Sequence, residues 1–90
     1  MTEIENELLE NILDGLDRLF DRESRAIDIY TLVFATSNFF SDTEYFSILD
    51  KTAKELKKIL DLKLNAENER NESLIVTNDL RHFLANILDF

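Results

Sequence analysis

Glu3-Ile4-Glu5-Asn6-Glu7-Leu8-Leu9-Glu10-Asn11-Ile12-Leu13-Asp14-Gly15-Leu16-Asp17-Arg18-Leu19-Phe20-Asp21 decides the architecture. Six of its acids, Glu3, Glu7, Glu10, Asp14, Asp17 and Asp21, recur at alternating steps of four and three residues. At ~100° per residue that alternation confines them to an arc of roughly 80° on an α-helix. Leu8, Leu9, Ile12, Leu13, Leu16, Leu19 and Phe20 take the opposite side. The spacing predicts a helix over 3–20, with a core-facing stripe and a negative row about 27 Å long at ~1.5 Å rise per residue. No Lys or Arg interrupts the row.

Such a row works against its own helix. Like charges three or four residues apart cost about 0.2–0.5 kcal/mol per pair, so the neighbouring pairs together cost roughly 1–2.5 kcal/mol before screening. The helix dipole offsets part of this near Glu3 and Glu7. It aggravates it near Asp17 and Asp21, in the last turn, where cations are preferred. Two readings fit: a solvated face, which is what most helical charge runs are, and a docking surface for something basic.

Ninety residues, 44% of them hydrophobic, suffice for one compact domain over 1–90. The net charge of −9 is uneven. Residues 1–23 hold eight acids against Arg18 and Arg22, net −6; the rest hold eleven acids against eight bases, net −3. Acidity repels phosphate backbones and anionic lipid alike, so neither direct nucleic-acid binding nor membrane binding is expected. The absence of cysteine excludes disulfides and thiolate-held metal. No secretion signal opens the chain and no stretch is long and apolar enough to cross a bilayer, so the expected location is the cytoplasm.

A single glycine and no proline exclude turn-rich all-β folds. Gly15 lies inside the first helix, where it costs about 1 kcal/mol against alanine; close approach of a second helix would explain it. Asp21-Arg22-Glu23-Ser24 forms a link with Ser24 as N-cap of a helix over about 25–37. Residues 27–34 also favour a strand, but a lone strand would leave its backbone unpaired. Hydrophobic nearly all round, this second helix is expected to be the most buried. Ser41-Asp42-Thr43-Glu44 matches a capping box opening a helix over about 42–63. Its inner face is Tyr45, Ile48, Leu49, Thr52, Ala53, Leu56, Ile59 and Leu60. Residues 65–73 read as a polar loop, and a last helix over about 72–88 turns Val76, Leu80, Phe83, Leu84, Ile87 and Leu88 inward. The expected fold is all-α, a compact antiparallel bundle of about four helices.

Catalytic chemistry finds no support. Asp79-x-x-His82 only echoes the paired Glu-x-x-His of carboxylate-bridged metal bundles. Residues 61–72 lack the spacing of a calcium loop, and there is no Gly-rich phosphate loop or Gly-x-Ser-x-Gly turn. Glu72-Ser73-Leu74 lies too late to serve as the Asp-Ser-Leu attachment site of acyl carrier proteins. No enzyme activity, cofactor or metal is expected. One constellation remains, Phe39-Phe40-Ser41-Asp42-Thr43-Glu44-Tyr45-Phe46. It is either a core corner sealing one end of the bundle or an aromatic anchor rimmed by Asp42 and Glu44, the make-up of an interface hot spot.

Size, acidity and helix pattern over the whole chain resemble those of bacterial immunity proteins, which neutralise the basic nuclease domains of colicins and contact-dependent inhibition toxins. Locally, Asp42-Thr43-Glu44-Tyr45-Phe46 is similar to the acidic and aromatic binding turn of the DNase-colicin immunity family. Leu19-Phe20-Asp21-Arg22-Glu23-Ser24-Arg25-Ala26 resembles the helix–turn–helix entry of colicin D-type and contact-dependent immunity proteins. The resemblance implies a monomer or weak homodimer that binds a cognate nuclease toxin through Glu7, Glu10, Asp14, Asp17 and Asp21, then Asp42, Glu44 and Tyr45. Two alternatives stay open: a nucleic-acid mimic blocking a host or defence enzyme, and a helical adaptor or homodimer. Reversing Asp14 and Asp17 to lysine is expected to cripple inhibition while leaving the fold unchanged or slightly stabilised.

Overall fold

Four helices carry the chain in the computed structural model, which describes residues 2–88: α1 (Glu3–Phe20), α2 (Ala26–Phe39), α3 (Phe46–Asp61) and α4 (Ala66–Ile87). Each runs antiparallel to the next, and they pack in a ring in which α4 returns to α1. The backbones of α2 and α4 also approach each other across the centre, whereas those of α1 and α3 stay farther apart. The cross-section is therefore a rhombus with α1 and α3 at its far corners, and the bundle measures 39 × 25 × 17 Å. This is the all-α antiparallel bundle that the spacing of apolar residues predicts.

The core follows from those spacings. Leu9, Ile12, Leu16 and Leu19 of α1 meet Ile29 and Val33 of α2, Leu49 and Leu56 of α3, and Leu80 and Leu84 of α4, all essentially buried. Each such side chain contributes about 1.5–3 kcal/mol of transfer free energy. Buried threonines on the inner faces keep their hydroxyls paired by donating one turn back. Thr36, Thr52 and Thr77 reach the carbonyls of Leu32, Ile48 and Ser73 at 2.8, 2.8 and 2.7 Å. Gly15 faces α2: a Cβ there would stand 3.2 Å from both Ile29 Cδ1 and Leu32 Cδ2. That close approach accounts for a residue without a side chain inside a helix.

Helix α1 opens with a reciprocal capping box. The Glu5 N–H donates to Thr2 Oγ1 at 3.1 Å and the Thr2 N–H donates to Glu5 Oε1 at 2.8 Å. The hydrogen bonds from Thr2 hold the Glu5 carboxyl below its ordinary value. A lowered carboxyl pKa stabilises the fold above the ordinary carboxylate range and loses that contribution as the pH falls through the lowered value. The melting temperature of the wild type should therefore fall more steeply in acid than that of Glu5→Gln. Parallel curves would show that the box contributes nothing.

The helix ends depart from expectation in several places. Arg25, not Ser24, is the N-cap of α2, and its N–H donates to Asp28 Oδ2 at 2.8 Å. Helix α2 also runs on to Phe39, beyond the expected 37. The Ser41–Glu44 capping box does not form. Residues 41–45 are turns in which Thr43 Oγ1 donates to the Phe40 carbonyl at 2.7 Å and accepts from the Tyr45 N–H at 3.3 Å. This local bonding competes with the helix, so α3 starts at Phe46. The expected loop over 65–73 is helical from Ala66, because Asn65 caps the Asn68 N–H at 2.8 Å and Glu67 and Glu69 complement the dipole. Arg22 and Lys63, with φ of 67° and 53°, close α1 and α3 in the left-handed conformation where glycine is usual.

Candidate functional site

The predicted carboxylates do share the outer face of α1. Glu3, Glu7, Asp14 and Asp21 are exposed, and Glu10 is half-buried, accepting from Asn6 Nδ2 at 2.8 Å. None of these five has an ion-pair partner among the described residues. The sixth does. Arg81 of α4 donates from Nη2 to Asp17 Oδ1 at 2.7 Å, and its guanidinium lies 5.6 Å from the centre of the Phe20 ring. Helix α4 thus answers the charge at the dipole-disfavoured end of α1, a contact that the spacing within α1 cannot reveal.

That pair corrects the expectation for the double reversal. Asp17→Lys would set a second cation against Arg81 and should destabilise the fold by about 1 kcal/mol, an exposed pair being worth up to that much. Asp14→Lys removes only like-charge repulsion and should be neutral or stabilising by about 0.5 kcal/mol. Urea unfolding of the two single variants separates these outcomes. Equal midpoints would mean that Arg81 does not hold Asp17 in solution.

Asp42 and Glu44 lie exposed on the α2–α3 turn, at the end of the bundle where α1 begins. Tyr45 is half-buried there as part of the end seal. Its ring packs edge-on against fully buried Phe40 at 5.7 Å and tilted against Phe83 of α4 at 5.9 Å. Burial, followed by the negative charge of Glu44, pushes its phenol above the ordinary value. The core-corner reading thus fits Phe40 and Tyr45, whereas Phe39 is 55% exposed.

Two further surfaces come from tertiary packing. Helix α2 has the largest share of buried positions, five of its 14 residues, yet Ile27 and Phe34 are 51% and 49% exposed, because a ring of four helices gives every member an outside. Tyr30, Phe34 and Ala53 line an α2–α3 groove of about 370 Å³ edged by Lys54, Lys57 and Lys58. Lys54 and Lys57 are paired with Asp50 and Asp61, both at 2.8 Å. At the end of the bundle away from Tyr45, the α1–α2 turn meets the start of α4. Arg22 bonds Glu67 at 3.0 Å, Arg25 bonds Glu69 at 3.2 Å, and Arg70 Nη2 donates to the Phe20 carbonyl at 2.6 Å, capping α1. The Arg22 hydrogen bond holds the Glu67 carboxyl below its ordinary value.

Among the described residues no three His, Asp or Glu side chains converge into a metal site, and no helix is long and apolar enough to cross a membrane. His82 is exposed, while Ser73 is completely buried, beyond the reach of any modifying enzyme. No protein-family model, curated protein or solved structure matches the chain, so the surfaces described above carry the functional argument.

Proposed function

We propose that this is a non-enzymatic binding protein whose α1 face holds a basic surface of another protein, and that it acts as a cytoplasmic immunity protein against a nuclease toxin. One observation carries the reading: five carboxylates aligned on one face of α1 have no ion-pair partner among the described residues. A field of one sign steers an oppositely charged partner and speeds encounter, an advantage that salt removes. Once docked, Glu7, Glu10 and Asp14 would occupy the groove in which the toxin accepts phosphates. Asp42 and Glu44 extend the negative surface past the start of α1. Asp17, engaged by Arg81, contributes less, and Tyr45 acts by fixing the turn.

The test is co-expression with the product of the gene immediately upstream. The wild-type protein should protect cells from that toxin, and a Glu7→Lys/Asp14→Lys variant, which spares Asp17, should not. Full protection by the variant removes α1 from the mechanism.

A further inference from the structure

We infer that the corner between the α1–α2 turn and the start of α4 binds a phosphate group, independently of the α1 face. Its cleft, of about 160 Å³, is lined among others by Arg22, Ser24, Arg25, Ala26, Glu67 and Arg70. It falls below the ~300 Å³ at which sites for larger organic ligands begin, but it suits a compact anion.

Three features converge on one ligand chemistry. First, three guanidinium groups face one small cleft in a protein of net charge −9. Each has five N–H donors, and each is seen to use one of its terminal nitrogens, on Glu67, Glu69 and the Phe20 carbonyl respectively. Second, α2 begins here with no side-chain cap from Arg25; the Asp28 N–H bonds the Arg25 carbonyl, which leaves the Ala26 and Ile27 N–H groups open to an acceptor. Third, Ser24 and Arg70 line the cleft, and the Ser24 hydroxyl and Arg70 Nε have no hydrogen-bond partner among the described residues, so a small turn of either side chain would offer it to a ligand. Native structures seldom leave such atoms unpaired, and an oxyanion is an acceptor for both.

Glu67 and Glu69 hold the place of that anion. The Arg22–Glu67 pair is open to water, with side chains 63% and 57% exposed, so it opens readily. An incoming phosphate would take Arg22 and Arg25 from the two carboxylates while Arg70 keeps its hold on α1.

The experiment is a titration of the full chain with inorganic phosphate, at ionic strength held constant with chloride, followed by amide NMR shifts. Saturable shifts confined to residues 22–27 and 65–70 are expected. Glu67→Gln/Glu69→Gln removes the internal competitors and should tighten binding about tenfold. Arg22→Ala/Arg25→Ala should weaken it at least about tenfold. If the corner is only a structural staple, the glutamine variant loosens it and no shift saturates; that result, or shifts that chloride alone reproduces, overturns the proposal. Should the alanine variant fail to fold, the wild-type and glutamine titrations decide. A parallel titration with methyl phosphate assigns the source: binding of both points to a phosphate monoester, and of inorganic phosphate alone to the free ion.

Discussion

Phe40→Ala should lower the free energy of unfolding by about 3–5 kcal/mol, the range for removing a buried aromatic ring. Phe40 is fully buried at the end of α2, with Phe39 edge-on at 5.2 Å and Tyr45 edge-on at 5.7 Å. Through Tyr45 the chain of rings continues to Phe83 of α4. Truncation would therefore open a cavity and also loosen the joint between three helices. A domain of this size has only about 5–15 kcal/mol in total, so the melting temperature should drop by roughly 15–30 °C. Calorimetry on the two proteins would show it. Phe39→Ala, at a half-exposed ring, should cost far less. A Phe40→Ala loss below about 1 kcal/mol would mean that the seal is loose in solution and that Tyr45 is available to a partner after all.

Glu7→Lys/Asp14→Lys should weaken binding to the proposed basic partner by about a hundredfold or more, since like charges set face to face at an interface cost several kcal/mol. The loss should appear first in the association rate and shrink as salt rises, because screening removes the same steering that the wild type enjoys. Surface plasmon resonance at low and high ionic strength would separate the two contributions. Both positions are exposed and carry no packing, so the circular dichroism spectrum should not change. An unaltered association rate at low salt would contradict a role for the α1 row.

The sequence was most informative where one face of a helix is apolar. The steps of three and four in α1 and α3 carry most of their inner faces openly: Leu9, Ile12, Leu16 and Leu19, then Leu49, Thr52, Ala53, Leu56 and Ile59, are buried, whereas Phe20, expected on the same face, is 56% exposed at the end of α1, beneath the Arg81 guanidinium. The start of α4 was illegible for the converse reason. Glu67, Asn68, Asn71 and Glu72 are exposed and nothing apolar marks a period, so the helix depends on the Asn65 cap and on arginines from a turn 44 and 45 residues away. The Ser41–Glu44 pattern failed because the Thr43 hydroxyl bonds the Phe40 carbonyl and the Tyr45 N–H instead, holding a turn between two rings that pack into the bundle end. For the candidate site, the row of carboxylates was legible and Arg81 was not, since a pairing across 64 residues leaves no local signature.

The far corners of the rhombus hold unlike charge. Helix α1 carries six acids and Arg18, net −5, while α3 carries four lysines against three acids, net +1. The molecule is thus polarised along its breadth, like a compass needle. A cationic surface some distance away would exert a torque that turns α1 toward it before any atoms touch. Neutralising Lys58 of α3, which has no ion-pair partner among the described residues, would then reduce the fraction of collisions that arrive correctly oriented.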